Sequence, residues 1–65
     1  MNEKAYNEMV NKVNELVLQD GRPLYLLAPS IGISVCALKR FLDGGGVTIF
    51  TAIRIADYFN VKMFL

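Results

Sequence analysis

Two adjacent cations, Lys39 and Arg40, follow a run of fifteen residues, Leu24 to Leu38, in which no side chain is charged. An arginine guanidinium is a planar fork of donors that matches the O6 and N7 acceptors of guanine, and a lysine ammonium can reach a base or a phosphate. Each side chain could instead be a solvated surface charge. The choice depends on whether the neighbouring elements hold the two cations toward one partner.

Catalysis and metal binding have little support in the residue types. The chain has no histidine and one cysteine, Cys36, so this thiol could share a metal only with carboxylates. The carboxylates are scattered over the predicted outer helix faces, and so short a chain leaves little room for a pocket. Gly44-Gly45-Gly46 lacks the lysine and hydroxyl of a phosphate-binding P-loop. We therefore expect no enzyme activity, no cofactor and no metal.

Length and composition predict one domain of 65 residues, which is close to the lower limit for folding without disulfides or a bound metal. A hydrophobic content of 54% suits a packed core and argues against disorder. The uncharged run is shorter than the roughly 20 apolar residues of a membrane span, and Pro29 and Gly32 interrupt it, so no membrane contact is expected. A lone cysteine and an amino-terminal stretch unlike a signal peptide point to the cytoplasm.

Charge is unevenly distributed along the chain, although the net charge is only +1. Residues 1–21 hold four acidic and two basic side chains, whereas residues 22–54 hold four basic side chains and one acidic, Asp43. The middle of the chain therefore has an excess of positive charge. Such an excess suits a polyanionic partner, although a solvated surface is the commoner explanation.

Apolar residues at helical spacing predict a long first helix and a shorter last helix. The first, which Asn2 can cap, ends at Gly21, and its polar residues, Asn14 among them, are expected to face solvent. Its apolar face consists of Tyr6, Met9, Val10, Val13, Leu16 and Val17. The last is capped by Thr48 and ends before Asn60. Its apolar positions are Ile49, Ala52, Ile53, Ala56 and Phe59.

Two short helices are predicted between them. One spans about residues 24–31 and ends at Gly32, and the next is capped by Ser34 and stopped by Gly44. The segment 61–65 could begin a fifth helix or form an apolar tail. The predicted fold is therefore an all-α, compact bundle of four to five helices in a single domain, 1–65.

Spacing within residues 24–43 predicts that the two short helices cross near a right angle. Their turn, Gly32-Ile33-Ser34, has three residues, and Ala28 is small enough to let the helices approach closely. Leu38 and Phe41 would both face the second helix. This arrangement would present the third helix for insertion into the major groove of DNA.

The segments "LAPSIGISVCALKRFLDGG" and "TAIRIADYFNV" together resemble the helix-turn-helix domains of the lambda-repressor and Cro family of phage and bacterial regulators. The matching residues are Leu27, Ala28, Gly32, Ile33, Ser34, Leu38, Phe41 and Gly44. The resemblance covers about residues 24–61. It implies sequence-specific binding to duplex operator DNA as a homodimer, to repress transcription in the cytoplasm of a bacterial host, on the nucleoid when bound. Leu24 departs from the pattern, where many members carry glutamine, and Pro29 is expected to bend the second helix or end it early.

The docking mode of this family assigns the exposed residues of the third helix to bases. Val35 and Cys36, in its first turn, could contact a thymine methyl group, and Lys39 and Arg40 could bond to base edges. Lys39 could instead reach a phosphate, with plain solvation as an even alternative to either contact, and a core position is an even alternative for Val35. Asp43 could accept a hydrogen bond from cytosine N4 or repel phosphates, and it stays unassigned.

Phosphate contacts are expected from the residues that flank this helix. Arg22 and Tyr25 could hold the DNA backbone from the start of the second helix, although a core position for Tyr25 is equally compatible. Ser34 could add a phosphate contact to its capping role. Thr48 could offer the amino end of the fourth helix to a phosphate.

The leading hypothesis is a Cro-like transcriptional regulator that binds operator DNA with a helix over about residues 35–43. The main alternative is a protein-binding module, such as an antirepressor, that uses the same fold to bind another regulator. The apolar carboxyl-terminal residues would contact such a partner. The chain could also be the DNA-binding part of a longer regulator.

Overall fold

The computed structural model describes residues 3–62, which form four α-helices and no β-strand. They are α1 (Glu3–Asp20), α2 (Leu24–Ile31), α3 (Val35–Leu42) and α4 (Ile49–Phe59). The prediction of an all-α fold is confirmed. The cap predicted at Asn2 lies outside the described residues. Val61 and Lys62 are not helical, and the rest of the segment in which a fifth helix was predicted, 63–65, also lies outside them.

The core is one cluster to which all four helices contribute. Its buried side chains are Met9, Val10, Val13, Leu27, Ala28, Ile31, Leu38, Phe41, Ala52, Ile55 and Ala56. Phe41 is the largest of them and has no exposed surface. In α4 the predicted apolar face is partly wrong, because Ile55 is fully buried while Ile49 is 43% exposed. Ile49 occupies the first turn of α4, where its side chain is not covered by the core.

Two hydrogen bonds from α1 hold the carboxyl end of α3. Asn14 Nδ2 donates to the Leu42 carbonyl and to the Val10 carbonyl, each at 3.0 Å. Tyr6 Oη donates to the Gly45 carbonyl at 3.3 Å, just after α3. The last carbonyls of a helix lack intrahelical partners, so the bond to Leu42 satisfies a group that would otherwise need water. The prediction that Asn14 faces solvent is therefore wrong, because this side chain is half-buried and bonded to α3.

Pro29 does not end α2, so the prediction of an early end is wrong, while the alternative of a bend at Pro29 stays a prediction. The helix continues for two residues beyond Pro29, to Ile31. Proline cannot donate a backbone hydrogen bond to the Tyr25 carbonyl, but Tyr25 is 65% exposed and water can reach this part of the helix. The end of α2 is set by Gly32, whose φ of 91° is in the left-handed region that favours glycine.

The turn between α2 and α3 has the predicted three residues, Gly32 to Ser34. The chain direction bends by 104° between the two helices. Among the described residues no single helix is long and apolar enough to cross a membrane, and only this bent pair, taken together, has the length and composition. The bend places α3 across α2 instead of in line with it.

Replacing Phe41 with alanine tests the core assignment. Because Phe41 is fully buried, Phe41→Ala should lower the free energy of unfolding by about 3–5 kcal/mol, measured by chemical denaturation. Phe50→Ala is the matched control, since Phe50 is 74% exposed and its loss should change stability by less than about 0.5 kcal/mol. Equal stability of the two variants would show that the rotation of α3 described here is wrong.

Candidate functional site

One exposed face of α3 collects the polar side chains that the sequence marked as candidates. Cys36, Lys39, Arg40 and Asp43 follow one another at spacings of three, one and three residues, which puts them on one side of a helix. Together with Gly45 they line an open groove of about 360 Å³. The opposite side of α3 is fixed in the core by Leu38 and Phe41, so this face must point to solvent.

The charged side chains of this groove are not paired with other groups in the described part of the protein. Within residues 3–62, the side chains of Lys39, Arg40 and Asp43 form no ion pair and no hydrogen bond with protein groups. All three residues are exposed. The groove therefore offers two cations and one carboxylate to an external partner.

The amino end of α3 is closed by the predicted cap. The Ser34 hydroxyl accepts a hydrogen bond from the Ala37 backbone N–H at 3.0 Å. Its own proton has no acceptor among the described residues, so it can still be donated to a partner. Val35 is 39% exposed and is not part of the core cluster, so the core alternative for this residue is not realised. Cys36 is exposed beside it.

Thr48 caps α4 as predicted. Its hydroxyl accepts from the Thr51 backbone N–H at 3.2 Å and donates to the Thr51 hydroxyl at 3.1 Å. Both bonding functions of this hydroxyl are thus occupied. An anion at this end of α4 would therefore be bound by the free backbone N–H groups of the first turn and not by the Thr48 side chain.

Arg22 is the predicted site residue whose surroundings differ most from the prediction. Its Nε and Nη2 donate to the two carboxylate oxygens of Asp20 at 2.7 and 3.0 Å, and Nη2 also donates to the Tyr58 hydroxyl at 2.7 Å. The charge of Arg22 is therefore balanced within the protein, in contrast to those of Lys39 and Arg40. Tyr25, by comparison, is exposed and does not occupy the core position that was its alternative.

This pairing changes the acidity of both partners. The side-chain hydrogen bond from Arg22 lowers the pKa of Asp20 below the ordinary value of 3.8. The bonds to Asp20 and Tyr58 raise the pKa of Arg22, so this guanidinium stays charged. A lowered carboxyl pKa stabilises the folded state above pH 3.8, and that contribution is lost as the pH falls through the lower folded-state value.

Arg54 is a cation near the site that the sequence did not assign to it. It is exposed on α4, and its Nη1 lies beside the turn that precedes α3: a β-carbon built on Gly32 would be 3.1 Å from it. Within residues 3–62 the guanidinium has no protein partner. The sequence revealed its charge, but only the folded chain brings it next to Gly32.

Titration of Asp20 tests the pairing with Arg22. The carboxyl-carbon NMR shift of Asp20 should show a pKa below 3.8 in the parent and a pKa close to 3.8 in Arg22→Gln, because the donated hydrogen bonds are lost. Tyr58→Phe is the control, since it removes only the hydroxyl that accepts from Arg22 and should leave the Asp20 pKa low. An unchanged Asp20 pKa in Arg22→Gln would contradict the pairing.

Metal ligation has no candidate in the described part of the chain, since no three Cys, Asp or Glu side chains of residues 3–62 are grouped to hold an ion. Comparison of the chain with protein-family models, with curated proteins and with solved structures finds no significant match. The function of the groove must therefore be inferred from its side chains and their geometry.

Proposed function

We propose that this chain is a sequence-specific DNA-binding transcriptional regulator of the Cro and repressor type, in which α2 and α3 form a helix-turn-helix and α3 enters the major groove. The observation that carries the proposal is the outer face of α3, where Lys39 and Arg40 are exposed and have no protein partner. The bend of 104° to α2 is within the range of about 90–120° that is typical of this motif.

The dimensions of α3 suit the major groove. An α-helix with its side chains is about 10–12 Å across, so α3 fits a major groove that is about 12 Å wide, and its eight residues give it about two turns to place there. In this docking, Arg40 bonds the O6 and N7 of guanine, and Lys39 reaches a base or a neighbouring phosphate. Val35 and Cys36, near the amino end of α3, contact thymine methyl groups. Asp43, exposed in the same groove, either accepts from cytosine N4 or repels a nearby phosphate, and it is given no contact in this proposal.

Phosphates are bound by the residues that surround α3. The free proton of Ser34, the phenol of Tyr25 and the amino end of α4 after Thr48 are the neutral donors. Arg54, beside the turn, adds a cation that was not expected from the sequence. Arg22 would have to exchange Asp20 for a phosphate, so its contribution is small.

A homodimer completes the proposal. A single eight-residue helix contacts only a few base pairs, so two copies on an inverted repeat supply the specificity that one lacks. The site of action is the bacterial cytoplasm, on the nucleoid when bound. No enzyme activity or cofactor is part of this function.

A protein-binding role, such as that of an antirepressor, is the second candidate. It is favoured by apolar side chains exposed on two neighbouring elements, Tyr25 and Leu26 on α2 and Ile49 and Phe50 on α4. A net charge of +1 also suits a protein partner better than DNA. The salt dependence of binding separates the two functions. DNA binding releases counterions, so the logarithm of the association constant falls with the logarithm of the salt concentration, with a slope of about −0.9 for each phosphate contact.

Enrichment from a randomised duplex library, with the purified 65-residue protein at moderate salt, tests the proposal. The expected product is an inverted repeat whose half-sites are about 34–36 Å apart, one turn of the double helix. Failure to enrich any sequence, from a sample that circular dichroism shows to be helical, would reject DNA binding and favour the protein-binding role.

Substitution of Arg40 and Lys39 tests the assigned contacts on the enriched duplex. Arg40→Ala should cost roughly 1–3 kcal/mol of binding free energy and relax the preference at one base pair. If Lys39 contacts a phosphate, Lys39→Ala should weaken binding to all DNA sequences alike. It should also reduce the slope of log affinity against log salt concentration by about 1.

Lys12→Ala is the matched control for both variants. Lys12 is exposed on α1, where its ammonium lies 3.8 Å from Glu15, and it is not part of the groove. Its loss should leave binding almost unchanged. Equal affinities of Arg40→Ala and Lys12→Ala would remove Arg40 from the interface.

A further inference from the structure

The side chain of Arg40 lies directly against Gly45. A β-carbon built on Gly45 would be 2.8 Å from Arg40 Cγ, 3.2 Å from the Arg40 carbonyl oxygen and 3.8 Å from Cδ, so the side-chain contact is the tightest of the three. The first distance is shorter than any normal contact between carbon atoms, so a larger residue at 45 would force Arg40 to move. The stem of Arg40 thus occupies space that exists only because residue 45 has no side chain.

Backbone conformation does not explain why residue 45 is glycine. Of the three consecutive glycines, only Gly44 has a positive φ, 84°, which favours glycine at the end of α3. Gly46 has no positive φ either, and a β-carbon there would meet no atom within 4 Å. Of the three, only Gly45 lies where a β-carbon would clash with a neighbour, and that neighbour is Arg40.

Gly45 is itself fixed from two sides. Its N–H donates to the Arg40 carbonyl at 2.8 Å, and its carbonyl accepts from Tyr6 Oη at 3.3 Å. The Tyr6 ring in turn packs edge-on against Phe41, with centroids 6.0 Å apart, and Phe41 is fully buried. A chain of contacts therefore runs from the core through Tyr6 and Gly45 to Arg40.

We infer that Gly45 is a positioning residue, which orients the Arg40 side chain for base recognition, and that Tyr6 secures Gly45 in place. This inference rests on the proposed function, since it concerns the same surface. A long arginine side chain loses rotamer freedom when it binds, and confining its stem beforehand reduces that loss. Gly45 thereby acts on DNA specificity without contacting DNA.

Gly45→Ala and Gly46→Ala form a matched pair for the test, because neither position has a positive φ and only the first is crowded. Gly45→Ala should abolish the NMR cross-relaxation between residue 45 and the Arg40 γ-protons and increase the mobility of Arg40 Nε. It should also weaken binding to the enriched duplex, up to the roughly 5- to 150-fold loss expected for a missing bidentate base contact. Gly46→Ala should change neither quantity.

A double-mutant cycle separates positioning from a general disturbance of the turn. In an Arg40→Ala background, Gly45→Ala should cause no further loss of affinity, because the displaced stem is already absent. Tyr6→Phe, which keeps the ring and removes the hydrogen bond, should give a smaller loss that also disappears in that background. Equal losses in both backgrounds would overturn the inference.

Failure of DNA binding and failure of the positioning role give different results. If the parent protein enriches no duplex, the DNA-binding proposal fails, and the NMR comparison alone decides whether Gly45 confines Arg40. If the parent binds and Gly45→Ala binds equally well, the positioning role fails while DNA binding stands.

Discussion

The burial of Leu38 and Phe41 is the constraint on which the rest of the structure depends. Both side chains are fully buried among residues from all four helices, and they fix the rotation of α3 about its own axis. That rotation decides that Cys36, Lys39 and Arg40 face outward together. The chemistry of the exposed surface is thus a direct consequence of packing on the opposite side of one short helix.

Local sequence signals predicted most of the fold, because each depends on only a few neighbouring residues. Glycines at helix ends, hydroxyl caps at Ser34 and Thr48, and apolar spacing in α1 to α3 all act within one or two turns. The same locality explains why Cys36, Lys39 and Arg40 could be predicted to share the outer face, since all three belong to α3. The early end predicted for α2 at Pro29 was wrong because a helix tolerates one missing backbone hydrogen bond where water can reach the carbonyl left without a donor, here that of Tyr25.

Features that join distant segments could not be predicted from local patterns. The sequence predicts that Asn14 faces solvent, and only the fold shows that it bonds to Leu42. The bond from Arg22 to Tyr58 likewise joins residues far apart in the chain, whereas its other partner, Asp20, lies only two residues away. Arg54 shows the converse, because it becomes a candidate only when α4 packs beside the turn. For charged residues the decisive property is the partner, and partners are set by the folded chain.

The alkylation rate of Cys36 tests the central claim most directly, because this residue is the only cysteine and is exposed on the face of α3 proposed to contact DNA. The rate with iodoacetamide would be measured with the protein alone, with the enriched duplex at saturation, and with a duplex of scrambled sequence. The account predicts strong protection by the enriched duplex and little by the scrambled one. An unchanged rate while the enriched duplex is fully bound would show that DNA contacts a different surface.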